Sequence, residues 1–223
     1  MKTNKETIIQ RLLTLPKPSL GGIAYDKGFF HDGKPILNLR ETCLEMIQDV
    51  VKISNAKEIL ETGTHGGVSS TLFLSLTNAN VTSIDLCDGT GHIELEYSYN
   101  DYFIPGTRGG INEIIRLFDE WFPGRFRFFA GSSYSQETID RYKDKQYDLM
   151  FVDGDHTFNG ARGDCKVAVQ LNIPYVLVDD YTTCQEIRDG CNLPELELVK
   201  IYDNIHNFAN IGIALFKNKN VVK

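Results

Sequence analysis

Apolar positions along the chain switch between two periods. Ile8, Ile9, Leu12 and Leu13 recur at helical spacing after a Thr3-x-x-Glu6 capping pattern, and Pro16 and Pro18 close that stretch. A second helical stripe, Leu39, Cys43, Met46, Ile47, Val50 and Val51, follows Asn38-x-x-Glu41. From there short apolar runs alternate with helical stripes. Residues 58–60, 81–85, 126–130, 147–153 and 173–178 read as strands. Between them, 68–76 carries Val68, Thr71, Leu72, Ser75 and Leu76 on one side, and 111–122 turns Ile111, Ile114, Ile115, Phe118, Trp121 and Phe122 inward. Further helices open at Ser133-x-x-Gln136, after residue 157, and at Thr183-x-x-Glu186; residues 197–202 and 210–216 read as a closing antiparallel pair. Strand–helix alternation with seven strands predicts an α/β, Rossmann-like doubly wound sheet. Residues 1–55 read as an N-terminal helical arm and 56–223 as the main domain. Within that domain 88–110 has no sustained period, and its aromatics and glycines suggest a lid.

Composition narrows the function classes. With 23 Lys and Arg against 30 Asp and Glu, and no long basic run, a nucleic-acid backbone is not the expected partner. No apolar segment approaches the roughly 20 residues of a membrane span, and the N-terminus lacks a signal-peptide core. The five cysteines are scattered without a C-x-x-C pair, which suggests a reduced, cytoplasmic protein. A small-molecule partner is expected, and a homo-oligomer is left open.

Candidate chemistry begins at residues 57–70, KEILETGTHGGVSS, where a strand ends on Glu61 and a glycine turn leads into a helix. Glycine removes the Cβ that would block a ligand, and helix-start N–H groups favour electronegative atoms. A nicotinamide fingerprint needs G-x-G-x-x-G, and His65 breaks it. The spacing is Glu61-x-Gly63-x-x-x-Gly67, which resembles the first motif of class I S-adenosylmethionine (SAM) methyltransferases. That resemblance implies SAM as cofactor, with the methionine part against a turn of Gly63, Thr64, His65, Gly67 and Ser69, and Glu61 organising the loop. Asp85, at the next strand end and 24 positions after Glu61, suits the two ribose hydroxyls. Gly131, Ser132 and Ser133, after the third strand, are expected at the adenine; the same serines also suit a helix cap.

Ligands of open parallel sheets bind at the C-terminal strand ends. Asp153, Asp179 and Asp180 fall there on neighbouring strands, and clustered carboxylates favour a hard divalent cation. The segments FVDGDHTF and VLVDDY resemble the metal-dependent small-molecule and sugar O-methyltransferases related to the macrocin and mycinamicin enzymes. By that resemblance the sheet order is 3-2-1-4-5-7-6 with the last strand antiparallel. It also makes Asp153, Asp179 and Asp180 ligands of Mg²⁺ and His156 the base that deprotonates an acceptor hydroxyl; in a metal-free enzyme Asp153 would instead face the SAM amine, with Asp179-Asp180 forming a turn. His65 also reads as structural, and His92 and His206 as acceptor contacts. Two other readings stand beside this one: a nicotinamide-dependent oxidoreductase, which His65 disfavours, and a non-catalytic SAM-binding domain.

Overall fold

The computed structural model describes residues 4–15, 30–31, 34–35, 41–87, 108–203 and 212–221. Seven strands form one sheet: β1 Glu58–Thr62, β2 Asn80–Asp85, β3 Phe126–Ala130, β4 Leu149–Val152, β5 Tyr175–Val178, β6 Leu196–Tyr202 and β7 Ile213–Asn218. Their order is β3-β2-β1-β4-β5-β7-β6, the expected 3-2-1-4-5-7-6. The first five pair in parallel, and β7 runs antiparallel to both β5 and β6. A separate ribbon pairs Phe30–His31 with Lys34–Pro35.

Alternation along the central strands explains why both faces are covered. Ile59, Leu149, Phe151 and Leu177 point into one apolar layer, and Leu60, Met150, Val152, Val176 and Val178 into the other. Helices α1 Lys5–Thr14, α2 Glu41–Ser54, α3 Val68–Leu76 and α4 Arg108–Trp121 fill the first layer. Helices α5 Gln136–Tyr142, α6 Phe158–Gln170 and α7 Gln185–Cys191 fill the second. The central strands are therefore apolar on both sides and carry polar residues only at their ends.

Several local expectations are corrected. Helix α3 is buried all round from Val68 to Ser75, because α1 and α2 lie over it, so it has no solvent face. Helix α4 begins at Arg108, inside the stretch expected to be a lid. The remainder of that lid, with His92, lies outside the described residues, as do His206, Asn38 and most of the glycine-rich arm. The N-cap of α1 is Asn4, which accepts from Thr7 N at 2.8 Å. The N-cap of α5 is Ser135 rather than Ser133. At α7 no side chain caps the start; Glu186 instead accepts from Phe158 N at 2.9 Å, tying α7 to the start of α6.

Backbone conformation points to one end of the sheet. Among described non-glycine residues with left-handed φ, His65, Cys87 and Asp180 all follow C-terminal strand ends. The other two are Asn55 and Asn172, a residue type that tolerates this region. Strained backbone held in place at several neighbouring loops is a mark of a site.

Candidate functional site

The strand order reverses between β1 and β4, and the crevice outside their C-terminal ends is where such sheets bind ligands. Glu61 anchors its floor. Its carboxylate is fully buried and accepts hydrogen bonds from Ser69 Oγ at 2.6 Å, Ser83 Oγ at 2.5 Å, and Ser70 Oγ. Thr64 Oγ1 lies 2.6 Å from Ser83 Oγ, extending the network. Burial pushes the Glu61 pKa up, and the three hydroxyls oppose that rise. The acid thus joins β1, β2 and the first turn of α3, as expected of a loop organiser. The side chains of Thr64 and Ser69 are committed to this network too.

The glycines have a reason inside the protein. A Cβ on Gly63, at φ +84°, would stand 2.0 Å from the Asp153 carbonyl oxygen, and one on Gly67, at φ +76°, would press on Ile114 and Phe118. Both positions need glycine for left-handed backbone and for packing inside the protein. The start of α3 behind the turn has no side-chain cap at Gly67.

At the end of β2, Asp85 receives His65 N on Oδ2 and Cys87 N on Oδ1, each at 2.8 Å. The two backbone donors fix the carboxylate plane, and each oxygen keeps a second lone pair for a hydroxyl. The next residue, Leu86, is 56% exposed and offers an apolar surface beside that acid. An oriented acid, an apolar shelf and an uncapped helix start suit the ribose, adenine and methionine parts of SAM respectively. Leu86 was missed in the sequence because a single exposed leucine carries no pattern.

The β3 loop is built against α6. A Cβ on Gly131 would meet Thr138 Oγ1 at 2.4 Å, so the loop hugs α5. Ser133 Oγ donates to Asp164, its carbonyl accepts from Tyr142 OH at 2.6 Å, and the Ser132 carbonyl accepts from Ser135 N at 3.1 Å. Asp164 also accepts from Thr62 Oγ1 at 2.9 Å and is 1% exposed. Burial raises its pKa to about 6, against the pull of the two hydroxyls. The periodicity of α6 puts Asp164 on the same face as Ala161, Cys165 and Ala168, a polar residue on an apolar stripe, which is the signal that could have found it.

Asp153, Asp179, Asp180 and His156 do come together. His156 Nδ1 lies 3.0 Å from Asp180 and Nε2 3.4 Å from Asp153. Asp179 is buried and faces Asp153 within hydrogen-bonding reach. Partial burial and this neighbouring carboxylate raise the Asp153 pKa, while His156 opposes the rise. The two carboxylates in turn push His156 up to about 11, so the ring is an imidazolium at neutral pH. Cys184 Sγ, 3.6 Å from the His156 carbonyl, and Glu186 on Phe158 N hold the 153–158 loop onto α7. The carboxylates are hard donors of the kind Mg²⁺ takes. As arranged, however, the imidazolium balances Asp153 and Asp180, and among the described residues no group of three or more His, Cys, Asp or Glu could hold an ion. The expected Mg²⁺ site is not formed by this arrangement.

Among the described residues no helix is long and apolar enough to cross a membrane. No curated protein sequence matches the chain. Solved structures match its fold. An O-methyltransferase from Bacillus cereus in complex with S-adenosylhomocysteine (SAH) is 18% identical, covering 96% of this chain and 90% of its own, with TM-score 0.59. TomG, an O-methyltransferase of tomaymycin synthesis from Streptomyces achromogenes bound to SAM, is 15% identical over 81% of each chain, with TM-score 0.57. The fibrillarin pre-rRNA processing protein of Methanococcus jannaschii is 11% identical over 92% and 88%, with TM-score 0.53, so the shared fold alone does not choose an acceptor. A family model described as "Methyltransferase domain" matches residues 60–181, a span that holds every candidate residue from Glu61 to Asp180. The chain belongs to that methyltransferase family, on the Rossmann-like fold of class I SAM-dependent enzymes.

Proposed function

We propose that this protein transfers the methyl group of SAM to a hydroxyl of a small molecule, the reaction class of the small-molecule and sugar O-methyltransferases that its FVDGDHTF and VLVDDY segments resemble. One observation carries the reading: His156 stands between Asp153 and Asp180 at the strand ends next to the cofactor turn, where an acceptor proton has to be handled. Gly63 packs directly on the Asp153 carbonyl, which ties the cofactor turn to that cluster. When bound, SAM supplies an electrophilic methyl on a sulfonium.

The chain's own residues do the rest. Asp85 and the start of α3 hold the cofactor's polar ends, and Leu86 offers its base a flat apolar contact. His156 is the proton acceptor, and Asp153 and Asp180 orient its ring through its two nitrogens. Those same carboxylates stabilise the protonated ring, so His156 accepts a proton only when deprotonated or when a bound cationic group draws Asp153 away. Asp153 therefore serves both the cofactor side and the proton side.

Supplying SAM with a labelled methyl group and a panel of polyols, phenols and amines tests this directly. The expected product is a labelled ether on a hydroxyl acceptor. Label found only on nitrogen, or SAM bound without any turnover on the panel while an unrelated acceptor is methylated at nitrogen or carbon, would overturn the hydroxyl assignment.

A further inference from the structure

We infer that Asp164 is a positioning residue that sets the spacing between the two ends of the cofactor crevice; this rests on the SAM reading above. The reason is where the carboxylate sits and what it joins. It lies on the apolar face of α6, 1% exposed, among Ala161, Cys165 and Ala168. A leucine there would satisfy the layer without the cost of burying a charge, so packing alone gives no reason for an acid. What the acid does there, and a leucine cannot, is accept from two hydroxyls at once. Thr62 Oγ1, at 2.9 Å, comes from the last residue of β1, immediately before Gly63 and the methionine-side turn. Ser133 Oγ comes from the β3 loop at the adenine side.

A third loop meets the same carboxylate. A Cβ built on Gly154, just after Asp153, would lie 3.5 Å from Thr62 and 3.6 Å from Asp164 Oδ2. The β1 turn, the β3 loop and the β4 loop thus converge on one buried group. Tyr142 OH, donating to the Ser133 carbonyl at 2.6 Å, holds the far side of the β3 loop. The Asp164 carboxylate touches no ligand position itself; it fixes how far the adenine side stands from the methionine side.

The test separates positioning from mere structure. Full-length Asp164→Leu removes a buried carboxylate but leaves the Thr62 and Ser133 hydroxyls without their acceptor, so it should fold with a moderately lowered melting temperature, while its affinity for SAH by calorimetry falls at least tenfold. Thr62→Val and Ser133→Ala each remove one hydroxyl and should weaken SAH in the same direction. Combining Ser133→Ala with Asp164→Leu should weaken it no further than Asp164→Leu alone, since both cut the same tie. SAH affinity within twofold of wild type in a folded Asp164→Leu protein would overturn the inference and leave the SAM reading standing. Should Asp164→Leu not fold, unchanged affinity in both Thr62→Val and Ser133→Ala overturns it equally. Wild-type protein that binds no SAH would overturn the SAM reading and this inference together.

Discussion

Two groups of carboxylates at the same sheet end are settled in opposite ways. Glu61 is sealed from water and held by hydrogen bonds from three serine hydroxyls on β2 and the first turn of α3. Asp153 and Asp180 keep about a quarter of their side-chain surface and are balanced by an imidazolium that is itself half exposed. Hydroxyl donors on β2 and α3 make a permanent joint, whereas a ring on a loop makes an exchangeable one. The first arrangement suits a cofactor cradle that must not move. The second suits a place where a proton enters and leaves.

Breaking the sealed group should have the largest effect. Glu61→Ala leaves three buried hydroxyls without their acceptor and opens a cavity, so unfolding in denaturant should show a loss of about 3–5 kcal/mol. A loss under about 1 kcal/mol would mean that the hydroxyls find other partners and the turn does not depend on the acid.

The exchangeable group should show itself in rate and pH. His156→Ala should lower methyl transfer by about 10²-fold with little change in SAH affinity. Because the folded pKa is raised from 6.5 to about 11, the wild-type rate should climb with pH on the alkaline side. Stability should run the other way: the His156 contribution is complete below about pH 6.5 and is lost as pH rises through about 11. A rate limb centred near pH 6.5 would show that the carboxylates do not hold the ring in the working enzyme. EDTA should have the smallest effect, leaving turnover within about twofold, because His156 takes the position between Asp153 and Asp180. A deep loss restored by Mg²⁺ would put a cation there and free His156 to titrate near neutral pH.

Much of the fold was legible because the two periods of the chain are clean. Residues 147–153 read as a central strand from continuous apolar character, and β4 is buried on both faces for that reason. The end-of-strand acids were legible because position along a parallel strand fixes where a side chain emerges. Their partners were not. Asp164 reaches Thr62 across 102 positions and Ser133 across 31, and no local pattern records such a distance. The glycines show the same limit: spacing found Gly63, but only tertiary contact shows that the Asp153 carbonyl excludes its side chain. Cap assignments at Ser133 and Thr183 failed because a hydroxyl with Glu or Gln three residues on does not say which long-range partner either side chain prefers: Ser133 turns to Asp164 and Glu186 to Phe158 N.

The most direct measurement is a calorimetric titration of SAH into wild-type protein and into Asp85→Ala. Asp85 holds both oxygens toward the crevice through His65 N and Cys87 N, and it is not part of the buried Glu61 network. Wild type should bind, and Asp85→Ala should bind about 1.5–3 kcal/mol more weakly, roughly 10- to 150-fold, with its melting temperature little changed. No heat and no melting shift in wild type at millimolar SAH, or equal affinity in the two proteins, would contradict a SAM site at this strand end.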